Sequence, residues 1–308
     1  MTDEPTAEPH AGHADARTAP DQITARLRRL IQPVLPARFR SDIAVVPVVR
    51  LAGTIGLSTP LRPGLTLAGV AKTLDRAFAM PRARAVALVI NSPGGSPVQS
   101  HLIFQRIRQL AAEKNVPVLA FIEDVGASGG YMLACAADEI ICDASSIVGS
   151  IGVVGGSFGF VGLMDKIGVE RRLYTSGEHK AMLDPFLPVD PGDVERLKGV
   201  QREIHEHFIA LVKARRRGKL AGPESALFSG EYWTGVTALG HGLVDGIGEL
   251  RSVLRSRYGD RVRMPLISAE RGWLARRLPG LSGSGPAVAA DELLAALEAR
   301  GQWGRYGL

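Results

Sequence analysis

Asp124-Val125-Gly126-Ala127-Ser128-Gly129-Gly130-Tyr131 follows an uninterrupted apolar run, Pro117–Ile122 (PVLAFI), and leads into Tyr131–Ala137 (YMLACAA). The first run has the length and composition of a buried strand, and the second has the small, straight side chains of a helix. A serine, Ser128, therefore stands where strand becomes helix. Gly126, Gly129 and Gly130 let the turn be sharp and let the backbone come close to a ligand. The helix start leaves N–H groups unpaired, and these favour developing negative charge. Two readings are open on this stretch alone: a serine that caps a helix in a glycine-rich turn, and a serine nucleophile.

The neighbouring segments set the fold class. Ala85–Ile90 (AVALVI) reads as a second buried strand and runs straight into Asn91-Ser92-Pro93-Gly94-Gly95-Ser96. Ile43–Leu51 reads as the first strand, and Glu139–Cys142 and Val169–Thr175 as later ones. Apolar spacing predicts helices over Leu65–Phe78 (Leu67, Val70, Leu74, Phe78) and Val98–Glu113 (Ile103, Ile107, Leu110). Strands alternating with helices indicate an α/β domain with largely parallel pairing. Asp190-Pro191 opens a further helix, with an acidic N-cap and proline at the first helical position. It is predicted to reach about Arg217, with Arg215–Arg217 as a solvated, dipole-satisfying end and Gly218 as its stop.

With 308 residues, 45% hydrophobic, the chain can bury a sizeable core. The net charge is 37 − 31 = +6, without the aromatic-interleaved basic stripe of a nucleic-acid binder. The two cysteines, Cys135 and Cys142, sit in apolar runs and read as buried thiols of a reduced compartment, not as a disulfide or a metal site. No apolar run approaches the ~18 residues of a membrane span. Residues 1–22 are polar and acidic, read as a disordered tail, and carry no signal-peptide core. A cytoplasmic protein is expected. Residues 23–40 (ITARLRRLIQPVLPARFR) form a basic amphipathic segment suited either to peripheral contact with the inner membrane surface or to packing on its own domain. The expected organisation is thus a tail and basic segment over 1–40, a folded domain over 41–258, and a linker with a last helix, Asp291–Arg300, over 259–308.

A serine hydroxyl needs a base to take its proton. His10 and His13 lie in the tail, His205 and His207 on a helix, and His101, His179 and His241 lack an assignable acidic partner, so nothing marks a Ser-His-Asp triad. A lysine base must be kept neutral, which requires a pKa well below ~10.4. Of Lys114, Lys166, Lys180 and Lys198, Lys180 stands in the most apolar setting, before Ala181-Met182-Leu183; an ordinary loop lysine is the alternative. An oxyanion needs two N–H donors, and the Ser92–Gly95 turn and Gly129 offer unhindered ones.

Taken in order, Asn91-Ser92-Pro93-Gly94-Gly95, Gly126-Ala127-Ser128-Gly129-Gly130-Tyr131, Val148-Gly149-Ser150-Ile151-Gly152-Val153 and Ser176-Gly177-Glu178-His179-Lys180 resemble the motifs of the signal peptide peptidase A (protease IV) family. Gly230-Glu231-Tyr232-Trp233-Thr234-Gly235 and Gly242-Leu243-Val244-Asp245 resemble its downstream signature, so that the likeness spans about Asp42–Leu250. The resemblance implies a ClpP/crotonase-like fold of repeated ββα units, here with a C-terminal helical extension, that assembles into a homo-oligomeric ring. It implies Ser128 as nucleophile, Lys180 as general base, Ser150 as the serine that holds the lysine amine, and Gly94 or Gly95 with Gly129 as oxyanion donors. No metal and no cofactor are expected. The implied function is a serine endopeptidase acting on released signal peptides or unfolded hydrophobic chains. A crotonase-type acyl-CoA enzyme and a non-catalytic scaffold are the alternatives. Members of that family commonly carry an N-terminal membrane anchor, for which this chain has the polar tail and basic segment instead.

Overall fold

The computed structural model describes residues 43–56, 64–268, 300, 301 and 303–307, and all of these but Ile43 belong to one compact unit, Ala44–Leu308. The tail, the basic segment 23–40 and most of the predicted helix Asp291–Arg300 lie outside the described residues. The strands are β1 (Val48–Ala52), β2 (Val86–Ser92), β3 (Val118–Ala127), β4 (Glu139–Cys142), β5 (Ile147–Gly149), β6 (Tyr232–Thr234) and β7 (Gly246–Ile247). The helices are α1 (Leu67–Phe78), α2 (Pro97–Lys114), α3 (Gly129–Ala134), α4 (Val161–Ile167), α5 (Pro191–Arg215), α6 (Glu224–Leu227), α7 (Gly235–Gly240) and α8 (Leu250–Tyr258). This is the α/β architecture of ClpP/crotonase type that the motifs imply.

The main sheet runs β1-β2-β3-β4-β7, with every pair parallel. Its central strands read as continuous apolar runs because both of their faces are buried. Along β3, Val118, Ala120 and Ile122 join the larger core with Ile103 and Ile107 of α2, Leu133 of α3 and Phe208 of α5. Leu119 and Phe121 point the other way, into a second core closed by Leu254 of α8 and Val262. At about 1.5–3 kcal/mol for each fully buried large aliphatic side chain, this two-sided burial is the main stabilisation of the sheet.

Strand β3 is longer than its apolar run. Residues 119–122 pair with β4, and residues 125–127 then pair in parallel with β5, which is itself antiparallel to β6. Ser146 bridges the change of partner: its hydroxyl donates to the carbonyls of Ile122 and Glu123 and accepts from Asp143 N–H. The extension carries the chain to Ala127, so Ser128 sits directly between a strand and a helix.

Three differences from expectation have physical causes. Val169–Thr175 forms no strand; it runs exposed, with no ladder partner among the described residues. Residues 262–267, expected at the start of a linker, lie beside β1, where Val46 and Val48 N–H donate to the carbonyls of Arg263 and Pro265. The arginines ending α5 are not all solvated. Arg216 is 2% exposed, donates to Asp245 Oδ2 at 2.6 Å and to the Gly242 carbonyl, and Arg215 donates to the carbonyls of Cys135 and Ala137. The helix end meets carbonyls left open at the end of α3 and before β7, and the guanidinium forks satisfy them.

Candidate active site

Ser128 occupies the N-cap position of α3, yet its hydroxyl makes no capping hydrogen bond. The backbone there has φ 51° and ψ −123°, a conformation that costs a non-glycine residue roughly 1–3 kcal/mol and persists only where the surroundings enforce it. The enforcement is visible: Ser128 N–H donates to Gly149 O at 2.8 Å, and Ser128 O accepts from Met132 N–H at 3.0 Å. The hydroxyl is thereby turned out of the helix and into a cleft of about 620 Å³, whose walls include Ile55, Pro93, Gly95, Val153 and Arg305. A residue serving only as a helix cap would use its oxygen on the helix.

The Ser92–Gly95 turn packs on this elbow. Gly94 has φ 101°, and a Cβ on it would meet Gly129 N and Ser128 Cβ at 2.8 Å, so only glycine fits. Its N–H donates to Ser92 Oγ at 3.2 Å. The two expected glycine donors of this turn therefore differ. Gly94 N–H is engaged, whereas among the described residues the amides of Gly95 and Gly129 donate to no partner. Gly95 also lines the cleft. Ile55 fixes the turn from the other side: its N–H donates to Gly94 O and its carbonyl accepts from Ser96 N–H.

Ser150 follows Gly149, the residue whose carbonyl anchors Ser128. It is 5% exposed, also has positive φ (52°), and its N–H donates to Glu231 O at 2.6 Å. Gly149 is wedged against the Trp233 ring, where a Cβ would come within 2.8 Å. The parallel pairing of β3 with β5, Ala127 opposite Gly149, thus sets Ser128 and Ser150 side by side.

Lys180 is not brought there within one chain. It lies in the turn segment after Gly177, exposed, its amine paired with nothing among the described residues, and it does not line the Ser128 cleft. The arm from Ser157 to Val189 is largely exposed: α4 buries no side chain, and Phe158 (82%), Ile167 (61%) and Tyr174 (89%) stand in solvent. No histidine lines the cleft among the described residues. Cys135 and Cys142 are free and buried; burial pushes their thiols up to about 12 and about 11, which leaves them inert as nucleophiles.

The sequence reading missed Tyr306. This residue, near the end of the chain, is 9% exposed, and its hydroxyl lies 3.2 Å from Ser150 Oγ and 3.4 Å from Pro93 O. No local pattern links positions 156 apart, so nothing in the sequence flags it.

Among known proteins, residues 111–259 match peptidase family S49. A Brucella abortus protein named Na(+)/H(+) antiporter NhaA is 56% identical over 288 residues; the match takes in 91% of this chain but 39% of that protein. Among the described residues here, no helix is long and apolar enough to cross a membrane. The chloroplastic serine protease SPPA of Arabidopsis thaliana is 33% identical over 168 residues, 54% of this chain and 24% of that one. A Synechocystis protein that bears a protease name is 30% identical over 203 residues, 64% of this chain and 72% of its own length. The family match spans Ser128, Ser150 and Lys180 and agrees with the relative matched over most of its length: the chain belongs to peptidase family S49.

Proposed function

We propose that the protein is a serine endopeptidase in which Ser128 and Lys180 form the catalytic dyad. The observation that carries this reading is the Ser128 elbow, a strained serine turned into a cleft beside the open amides of Gly95 and Gly129, in a chain of family S49. Neutral Lys180 takes the Ser128 proton as Oγ attacks the peptide carbonyl carbon. The carbonyl oxygen becomes an oxyanion held by Gly95 and Gly129 N–H, with Gly94 shaping the turn. As the C–N bond breaks, the ammonium returns its proton to the leaving amine. Water, deprotonated by the same lysine, then releases the acid and frees Ser128. Ser150 orients the amine. The apolar walls Ile55, Pro93, Val153 and Val154 suit hydrophobic side chains, in keeping with released signal peptides or unfolded hydrophobic polypeptides as substrates. Family S49 favours this over acyl-CoA chemistry.

The exposed position of Lys180 favours completion of the site by a second copy. A helix without a buried side chain, ending on the exposed Ile167 and flanked by the exposed Phe158 and Tyr174, needs a partner surface, and an arm reaching a neighbour's cleft would bury both the apolar face and the amine. Burial there favours the neutral amine that the mechanism requires. This supports the homo-oligomeric ring. We assign the protein to the cytoplasm, with residues 23–40 as its peripheral contact to an anionic membrane face.

The test is labelling by a fluorophosphonate probe. Wild-type protein should be labelled at Ser128; Ser128→Ala should not be labelled, and Lys180→Ala should be labelled far more slowly. Unaltered labelling in both variants would end the dyad reading.

A further inference from the structure

The last described residues fold back onto the site they would have to leave open. Trp303 packs with Val125, Ala127 and Ile147 at the carboxyl end of β3. Tyr232 O–H donates to the Arg305 carbonyl at 3.1 Å, and the Tyr306 ring stands edge-on to Tyr232, centroids 5.0 Å apart. Gly301 and Arg305 line the same cleft as Ser128. Tyr306 itself reaches the Ser150 hydroxyl and the Pro93 carbonyl, and its single proton can serve one of these acceptors at a time.

We propose that residues 300, 301 and 303–307 belong to an intramolecular plug that regulates the site, with Tyr306 seated where the lysine amine must approach Ser150. The inference rests on the dyad reading and adds its regulation. Ser150 is 5% exposed with the ring in place, so an amine from outside reaches it only when Tyr306 withdraws. Among the described residues the plug is held by the phenol hydrogen bonds of Tyr306 and of Tyr232, one ring pair and the packing of Trp303 and Tyr306 on Val125 and Ala127, a set weak enough to be displaced. Its backbone is helical at residues 300, 301, 303 and 304, whereas a peptidase groove takes an extended chain as an added strand. The segment therefore walls one side of the cleft without presenting a scissile bond.

The experiment compares full-length wild-type, Tyr306→Phe and Tyr306→Ala proteins. Fluorophosphonate labelling of Ser128 and peptide hydrolysis should both rise about tenfold in Tyr306→Ala, the size expected when a hydrogen bond and a ring contact no longer hold the closed state. Tyr306→Phe, which keeps the ring, should rise less. Hydrogen exchange at the amides of residues 125–127 and 148–150 should quicken in Tyr306→Ala. Rates equal to or below wild type, with labelling still confined to Ser128, would overturn the plug and leave the dyad intact. Should Ser128 label in none of the three proteins, the dyad reading falls, and exchange decides the plug alone: faster exchange supports it, unchanged exchange overturns it.

Discussion

The turn that carries Ser128 and the arm that carries Lys180 are built on opposite principles. Around Ser128 the backbone is tightly constrained apart from the open amides of Gly95 and Gly129: Gly94 and Gly149 leave no room for a Cβ, and the strain at Ser128 is held by bonds to Gly149 and Met132. Around Lys180 the chain makes mostly local turns, α4 buries nothing, and apolar side chains face outward. The geometry at Ser128 is fixed by contacts within one chain. On the proposed function, Lys180 needs a surface that a second copy would supply.

The comparison breaks most visibly in activity. Ser128→Ala and Lys180→Ala should each lower kcat/KM for a hydrophobic peptide by at least about a thousandfold, because the members of a catalytic unit fail together. Lys180→Ala should do so with unfolding free energy within ~0.5 kcal/mol of wild type, as for other exposed positions. A large loss of stability in that variant would mean that the arm is core, not surface.

The next largest effect falls on the side of the fold that bears Ser128. Asp245→Ala leaves Arg216 buried without its carboxylate and should cost about 3–5 kcal/mol in denaturant unfolding. Burial lifts the Asp245 carboxyl, but the hydrogen bonds from Arg216, Lys219 and Ile140 N–H outweigh it and hold it below the usual carboxylate range. A carboxyl held low when folded contributes stability that is fully present above its unfolded value, near ~3.9, and is lost as pH falls through the folded value. The difference between wild type and Asp245→Ala should therefore shrink below about pH 4.

Gly149→Ala should cost about 2–4 kcal/mol, from positive φ and the clash with Trp233 together, and should slow Ser128 labelling because Gly149 O anchors Ser128 N–H. At the small end, Ile167→Ser in the arm should shift the stability of the isolated chain by no more than ~0.5 kcal/mol. The same substitution should lower the assembled fraction in sedimentation. Assembly unchanged by it would assign the arm's apolar face to something other than a second copy.

Which parts were legible in the sequence follows the same division. The strands 86–92 and 139–142 and the helices α1 and α2 announce themselves by uninterrupted or 3.6-spaced apolar residues, because both sheet faces and one helix face are buried. The elbow at Ser128 was legible through its glycines. The apolar run alone ended β3 at Ile122, since residues 123–127 are held by β5 and the Ser146 hydroxyl and not by an apolar pattern. Val169–Thr175 has β-type residues but no edge to pair with, so its local propensity found no ladder. Arg216 reads as surface in any sequence; only the meeting of α5 with the Gly242 carbonyl and Asp245 makes it core. Lys180 was proposed from its apolar setting before Ala181-Met182-Leu183 and from the order of the family motifs, and a base completed by a second copy, as proposed, would leave no contact pattern in its own chain.

The most direct test of the central claim is complementation between the two inactive variants. Ser128→Ala and Lys180→Ala chains coexpressed and purified as one assembly should recover about a quarter of the wild-type hydrolysis rate, the fraction of heterologous contacts that pair an intact Ser128 with a neighbour's intact Lys180 under random mixing. A mixed assembly as inactive as either variant alone would contradict the claim that the site is completed between copies.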